Sequence, residues 1–212
     1  MMSINGLEIT MVWVGIKYMN KLLFLFTVFS IFFFYTLSKA DDIKDFQIEG
    51  MTIGDSALNF FTVSHIKDNS WDYFKSKRFT PVQNDKMSFF ETYDAVDFVY
   101  KTDDNKYKIY ELAGVLFYDN NIEDCYDKLD EIALEMDKLF PFARKEPKQT
   151  YKHGNDKTQK SLVTDIEYFF ENGDSVQLAC YDYSEAHGSQ DHLSVALSTK
   201  EIYDFYINEA YK

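Results

Sequence analysis

Residues 161–183 read SLVTDIEYFFENGDSVQLACYDY, and this stretch decides the fold. On either side of Asn172-Gly173, apolar residues alternate with polar ones, the period-2 pattern of strands that bury one face. Asn-Gly supplies the positive φ values of a type I′ turn, so 161–171 and 174–183 are expected to pair as an antiparallel hairpin. A third strand is expected over 192–198. A closing helix follows: Ser198-Thr199-Lys200-Glu201 has the form of a capping box, and Ile202, Phe205, Tyr206 and Ala210 recur at helical spacing.

Upstream of the hairpin, Ile122, Cys125, Tyr126, Leu129, Ile132, Ala133, Met136, Leu139 and Phe140 make one face of a helix. Asn121 suits its N-cap, Glu123 and Asp124 suit the positive helix start, and Pro141 ends it. Cys125 falls on the buried stripe of this helix, and Cys180 shares a strand face with Val176 and Leu178. Two inward-facing cysteines read either as a staple between helix and sheet or as two separate buried thiols. The staple is the expectation in an exported chain, and a catalytic thiol is not.

Earlier elements are less sharply marked. A short strand is expected at 46–49, a short helix from Ser56 to Phe61 capped by Asp55, and a further turn at 64–67. Residues 77–82 and 97–101 read as extended, and 107–118 as a long strand with a bulge at Gly114. The fold class is α+β: an antiparallel sheet with helices packed on one face.

Residues 19–40 carry an address. Met19-Asn20-Lys21 precedes sixteen uncharged, mostly apolar residues, Leu22 to Leu37, and Ser38-Lys39-Ala40 places small residues at the −3 and −1 positions of a cut. These are the three parts of a secretory signal peptide. A membrane anchor is the rival, but crossing the hydrocarbon takes about 20 helical residues. Cleavage is therefore expected after Ala40, leaving 1–40 as upstream extension and signal peptide and 41–212 as a single exported α+β domain. Translation starts at Met19, with 1–18 an over-extended frame, or at Met1 with an unusually long leader. Membrane contact is expected only through this segment, if it stays uncleaved.

The full chain of 212 residues holds 22 basic and 35 acidic residues, a charge of −13. Three lysines and one glutamate leave with 1–40, so the exported part carries −15. With 46% hydrophobic residues, 20 Phe and 16 Tyr, the chain is not disordered, and two cysteines do not make a disulfide-dense mini-protein. An acidic surface repels phosphate, so no nucleic-acid partner is expected. Residues 141–160 run against the trend at a local +4. Arg144, Lys145, Lys148 and Lys152 are the candidates there for binding an anion, with a solvated excursion pairing to the acidic body as the alternative.

Candidate chemistry is sparse. Gly54-Asp55-Ser56 has the form of the nucleophile block of GDSL-type esterases, yet no histidine has aspartate three residues before it. A helix-capping turn explains the triplet without catalysis. No phosphate loop, metal-ligand spacing or cofactor motif is present, so neither metal nor cofactor is expected. Residues 182–192 gather Asp182, His187, Asp191 and His192 between two strands, where imidazoles and carboxylates could move protons if they converge.

Taken together, the run 46–56 (FQIEGMTIGDS), Ile109 to Gly114, Cys125, Asn172-Gly173-Asp174, Cys180-Tyr181-Asp182 and Asp191-His192-Leu193 carry a resemblance. The chain resembles a group of small exported proteins of marine alphaproteobacteria of the Pelagibacter type. The likeness covers most of the exported part and implies a periplasmic or secreted location, but it carries no activity. The expectation for function is a non-enzymatic binding or envelope-associated module, with an envelope component or small ligand as partner. The alternative is an exported hydrolase or metal-dependent enzyme using the 182–192 loop.

Overall fold

The alternating runs around Asn172-Gly173 pair as antiparallel strands. They belong to one sheet among the residues that the computed structural model describes, 42–85, 87–118, 121–154 and 156–212. The expected signal peptide, its cut after Ala40 and the choice of start codon lie outside the described residues.

Eight strands build the sheet: β1 (Phe79–Asp85), β2 (Ala95–Lys101), β3 (Glu111–Phe117), β4 (Arg144–Lys145), β5 (Gln149–Lys152), β6 (Leu162–Phe169), β7 (Ser175–Asp182) and β8 (His192–Ser198). Their order is β1-β2-β3-β8-β7-β6, with β4 and β5 both pairing the outer side of β6, and every pairing is antiparallel. The helices are α1 (Val63–Asp68), α2 (Ile122–Leu139) and α3 (Lys200–Asn208). Strand β8, last in the chain, fills the gap between β3 and β7, so α2 and the strands after it carry the chain across the sheet to β6.

Alternation sorts the side chains onto two faces. One face carries Val96 and Phe98, Leu112, Leu193, Val195 and Leu197, and Val176, Leu178 and Cys180, all buried. Cys125, Leu129, Ala133 and Met136 of α2 join them in one core cluster, as do Ile66 of α1 and the N-terminal Ile43, Ile48 and Met51. The helix begins where its cap predicts: Asn121 Oδ1 accepts the Glu123 N–H at 3.2 Å. Cys125 and Cys180 are joined as a disulfide, Cα atoms 6.1 Å apart. The bridge closes a separation of 55 residues, a constraint on the unfolded chain of about 4 kcal/mol in the loop-entropy account. Tyr168 adds a polar tie, its hydroxyl donating to Ala133 C=O at 3.0 Å and Asp137 Oδ1 at 2.9 Å.

The expectation of helices on one face holds for α1 and α2 but not for α3. Ile202 and Phe205 of α3 pack with Phe74, Phe79, Val99 and Ala210 in a second cluster on the opposite face. The reason is local: β8 ends at Ser198, whose side chain is on that face, and the chain turns there under Thr199. Thr199 is the N-cap, with its hydroxyl facing Ile202 N–H at 3.4 Å, while Ser198 donates to Glu111 Oε2 at 2.8 Å. Asp174 Oδ1 accepts Lys200 N–H at 2.8 Å, so the hairpin loop caps the helix as well.

Other expectations shift for stated causes. Around Asn172-Gly173 the turn is not type I′, because Gly173 has φ +87° while Asn172 is outside the positive range. Gly173 N–H donates to Phe170 C=O and Phe170 N–H to Asp174 C=O, both at 2.9 Å, the pattern of a type I turn followed by a left-handed glycine. Asn172 Oδ1 accepting Asp174 N–H at 2.9 Å holds that geometry. Instead of a strand, 46–49 leads into a tight turn in which Glu49 and Gly50 have φ +50° and +77°. Glu49 is held there by its carboxylate, which accepts the N–H groups of Glu91, Thr92 and Tyr93 at 2.7–2.8 Å. Residues 107–110 stay out of β3 because Ile109 and Tyr107 bond to the backbone of 54–57. Gly114 pairs regularly with Val96 and Val195, so it is no bulge. Its missing side chain makes room for the Tyr93 ring, which a Cβ would meet at 2.5 Å.

Candidate functional site

The four residues singled out in 182–192 do not converge. Asp182 follows Cys180 on the α2 face, where burial and the charges of Asp191 and Glu123 raise its pKa. Asp191 Oδ1 accepts the Tyr183 N–H at 2.6 Å. His192 is on the opposite face, opposite both Tyr181 and Phe117 in register, with Nδ1 at 2.9 Å from Gln190 C=O. His187 closes a turn onto Ser184 C=O and lies 2.9 Å from Ser189 Oγ through its own Nδ1. One aspartate therefore faces the start of α2 and the other secures the loop, while the imidazoles belong to the α3 face.

On that face the histidines join an aromatic array. The His192 ring stacks on Tyr181 and the His187 ring on Tyr183, each with centroids 4.6 Å apart. His153 sits edge-on to Tyr183 at 5.2 Å and to His187 at 5.6 Å. Burial lowers the pKa of both His153 and His192, which favours neutral rings at neutral pH. Burial raises the Tyr183 hydroxyl to about 12. The array is a set of flat aromatic surfaces.

Next to it runs a row of carboxylates that the strand pattern alone does not flag. Asp165 and Glu167 are two apart on β6 and share the α3 face. Gln177 Nε2 reaches Asp165 Oδ2 at 2.8 Å and Glu167 Oε1 at 3.4 Å, and Tyr151 donates to Asp165 Oδ2 at 2.9 Å. Asp165 is 1% exposed, and its Oδ1 is buried without a hydrogen-bond partner. Burial and the neighbouring Asp165 charge raise the pKa of Glu167 against the pull of Arg144. Further along the face, burial raises the pKa of Glu111 despite donors from Ser198 and Tyr206. The available signal was the alternation itself: Asp165 and Glu167 occupy every second position in a strand whose other residues are mostly apolar, and polar residues there read as a solvated side.

Among the described residues of the basic segment, all four candidate cations have side-chain partners. The segment forms β4 and β5 along β6, not an irregular excursion. Lys145 bonds Asp137 of α2 at 2.8 Å and Lys148 bonds Asp130 at 2.8 Å. Arg144 pairs with Glu146 and lies 4.6 Å over the Phe169 ring, and Lys152 reaches Gln159 Oε1 at 3.4 Å. Lys145 and Lys148 thus tie the sheet edge to the acidic helix, and Arg144 and Lys152 bond to nearby residues of their own segment.

Ser56 is equally committed. Its hydroxyl donates to Lys106 C=O at 2.6 Å and caps the 3-10 turn Ala57–Asn59, and Asp55 accepts Thr52 N–H at 3.0 Å. Among the described residues no group of three or more His, Cys, Asp or Glu is arranged to hold a metal ion. A pocket of about 390 Å³ opens beside Trp71, Phe74 and Phe79, with Lys77 and Thr102 at its margin.

Comparison with protein-family models, with curated proteins and with solved structures finds no match to this chain.

Proposed function

We propose that the chain is an exported protein, cut near Ala40 and resident in the periplasm or outside the cell, whose domain over 41–212 is a non-enzymatic binding module of the envelope. The observation that carries the location is the Cys125–Cys180 disulfide, a bond that persists in oxidising compartments. Among the described residues no helix is long and apolar enough to cross a membrane. Binding is favoured over catalysis by how the reactive side chains are spent. Ser56 caps a turn, Asp191 is spent on the Tyr183 N–H, and the histidines of 182–192 are stacked on tyrosines. The flat aromatic array beside buried carboxylates has the makeup of a recognition surface, apolar faces with a few directed polar groups. Mass spectrometry of the full chain after export by a bacterial host, run without reductant, tests the location. The expected species begins after Ala40 and has no free thiol. An unprocessed chain, or one with two free thiols, would overturn it.

A further inference from the structure

Two carboxylate oxygens on the α3 face are buried without a partner, Asp97 Oδ1 and Asp165 Oδ1, and only the second lies beside the aromatic array. Asp165 is 1% exposed, Tyr151 and Gln177 both bond its Oδ2, and Oδ1 has no partner. A buried carboxylate oxygen with no donor is costly, and a ligand that brings a donor removes the cost. The charge around it sets the donor's sign. Glu167 is two residues away on the same face, and Arg144 is the cation acting on it. One guanidinium shared between Glu146 and Glu167 leaves this part of the face electronegative.

Shape and surroundings narrow the ligand further. Opposite Asp165 across β7 and β8 lie Ala179, fully buried, and Ser194. One row along, Tyr151, Val163, Tyr181 and His192 line up across four strands, with aromatic rings at three of those places. Ring faces beside a carboxylate attract the polarised CH₂ groups next to a cationic nitrogen. A metal ion would instead want several oxygens at close range, an arrangement not found among the described residues. Tyr151, on the outermost strand and 42% exposed, is the side chain whose swing opens the way to Asp165.

We propose that Asp165 and Glu167, with the ring of Tyr151, bind a small aliphatic ammonium ion that donates to Asp165 Oδ1. This rests on the reading of the domain as a binding module and names its ligand class. The nitrogen sits between the two carboxylates, and the carbon chain runs outward past the half-exposed Tyr151 ring.

Isothermal titration of the exported, disulfide-bonded protein with 1,4-diaminobutane tests it, with 1,4-butanediol as the uncharged isostere. The diamine binds and the diol does not. Asp165→Asn and Glu167→Gln each weaken binding roughly 10- to 100-fold, the loss expected for one charge-assisted hydrogen bond. Equal heats from diamine and diol, or no diamine binding at millimolar concentration, overturn the assignment on the unaltered protein, whatever the variants do. So does stoichiometric displacement of the diamine by calcium, which would mark a metal site. A protein that ignores the diamine yet is processed and bridged loses only this ligand assignment; free thiols or an unprocessed chain strike the location instead.

Discussion

Asp97 is a residue through which this fold should lose stability as pH rises from acid to neutral. It sits on β2 between β1 and β3, opposite Gln83 and Ala113, and its Oδ1 is buried with no partner. Burial pushes its pKa from the ordinary 3.8 up to about 7, with Asp85 and Glu111 adding to the rise and a bond from the Asn84 backbone N–H opposing it. Because the folded state holds this proton more tightly than the unfolded chain, stability is greatest below the unfolded pKa and falls as pH rises towards 7. A rise of roughly three pKa units at about 1.4 kcal/mol each corresponds to about 4 kcal/mol lost once the group is fully ionised. Asp97→Asn removes the titration and sets an amide beside the Asp85 and Glu111 carboxylates. Urea unfolding of both proteins, disulfide intact, should therefore give a stability difference that changes with pH. The D97N variant gains on the parent by about 1 kcal/mol per pH unit between pH 5 and 7, and the gain levels off above about pH 8. A difference that is flat from pH 5 to pH 8 would refute the argument, because the lowered carboxylates elsewhere are common to both proteins and cancel.

Three further substitutions probe separate parts of the frame. Replacing Cys125 and Cys180 together by serine should lower unfolding free energy by about 4 kcal/mol, read as a fall in urea midpoint that reductant no longer changes. A midpoint unaltered by the double change would mean that the bridge constrains nothing. Gly114→Val should cost about 1–3 kcal/mol through collision with Tyr93. Pairing it with Tyr93→Ala should recover part of that loss in a double-mutant cycle, and strict additivity would deny the contact. Asp174→Ala frees the Lys200 N–H and should cost about 1 kcal/mol, with faster amide exchange confined to the first turn of α3. Unchanged exchange there would show that Thr199 alone caps the helix.

Where one local pattern dominated, the fold could be read directly. The helix from Ile122 to Leu139 carries its cap, its stripe and its stop within its own residues, and the structure departs from that reading by a single residue. The Cys125–Cys180 pairing was legible for the same reason, since two independent periodicities each sent a cysteine inward. Residues 46–49 failed because their hydrogen bonds are settled elsewhere, by the Glu49 carboxylate seizing three N–H groups more than 40 positions away. In the charged segment 141–160 the pairing of lysines with the acidic body was legible, but the strands β4 and β5 were not. These lysines have little strand propensity, and only the acidic helix beside the β6 edge gives them a reason to line up there. The third departure, α3 on the far face, turns on parity: Ser198 ends β8 on the face away from α2, and one residue more or fewer would have sent the helix to the other side.

The site followed a different logic. Residues 182–192 drew attention because histidines and carboxylates cluster there in sequence, but a strand separates neighbours onto opposite faces and unites residues from other strands. The His192 ring thus keeps company with Tyr181 and Phe117, with the Asp191 carboxylate turned to the Tyr183 N–H and reaching the ring only through its charge. Asp165, Glu167, Gln177 and Tyr151 come from three strands and meet only once β5, β6 and β7 are in register, so no local spacing marks them. In a helix the same residues would signal themselves at intervals of three or four. In an antiparallel sheet the chemistry is written across the strands, and a single misplaced turn hides it. The buried, half-satisfied carboxylate of Asp165 is visible only in that cross-strand direction, on the face where Tyr203 of α3 packs edge-on against Phe169 of β6.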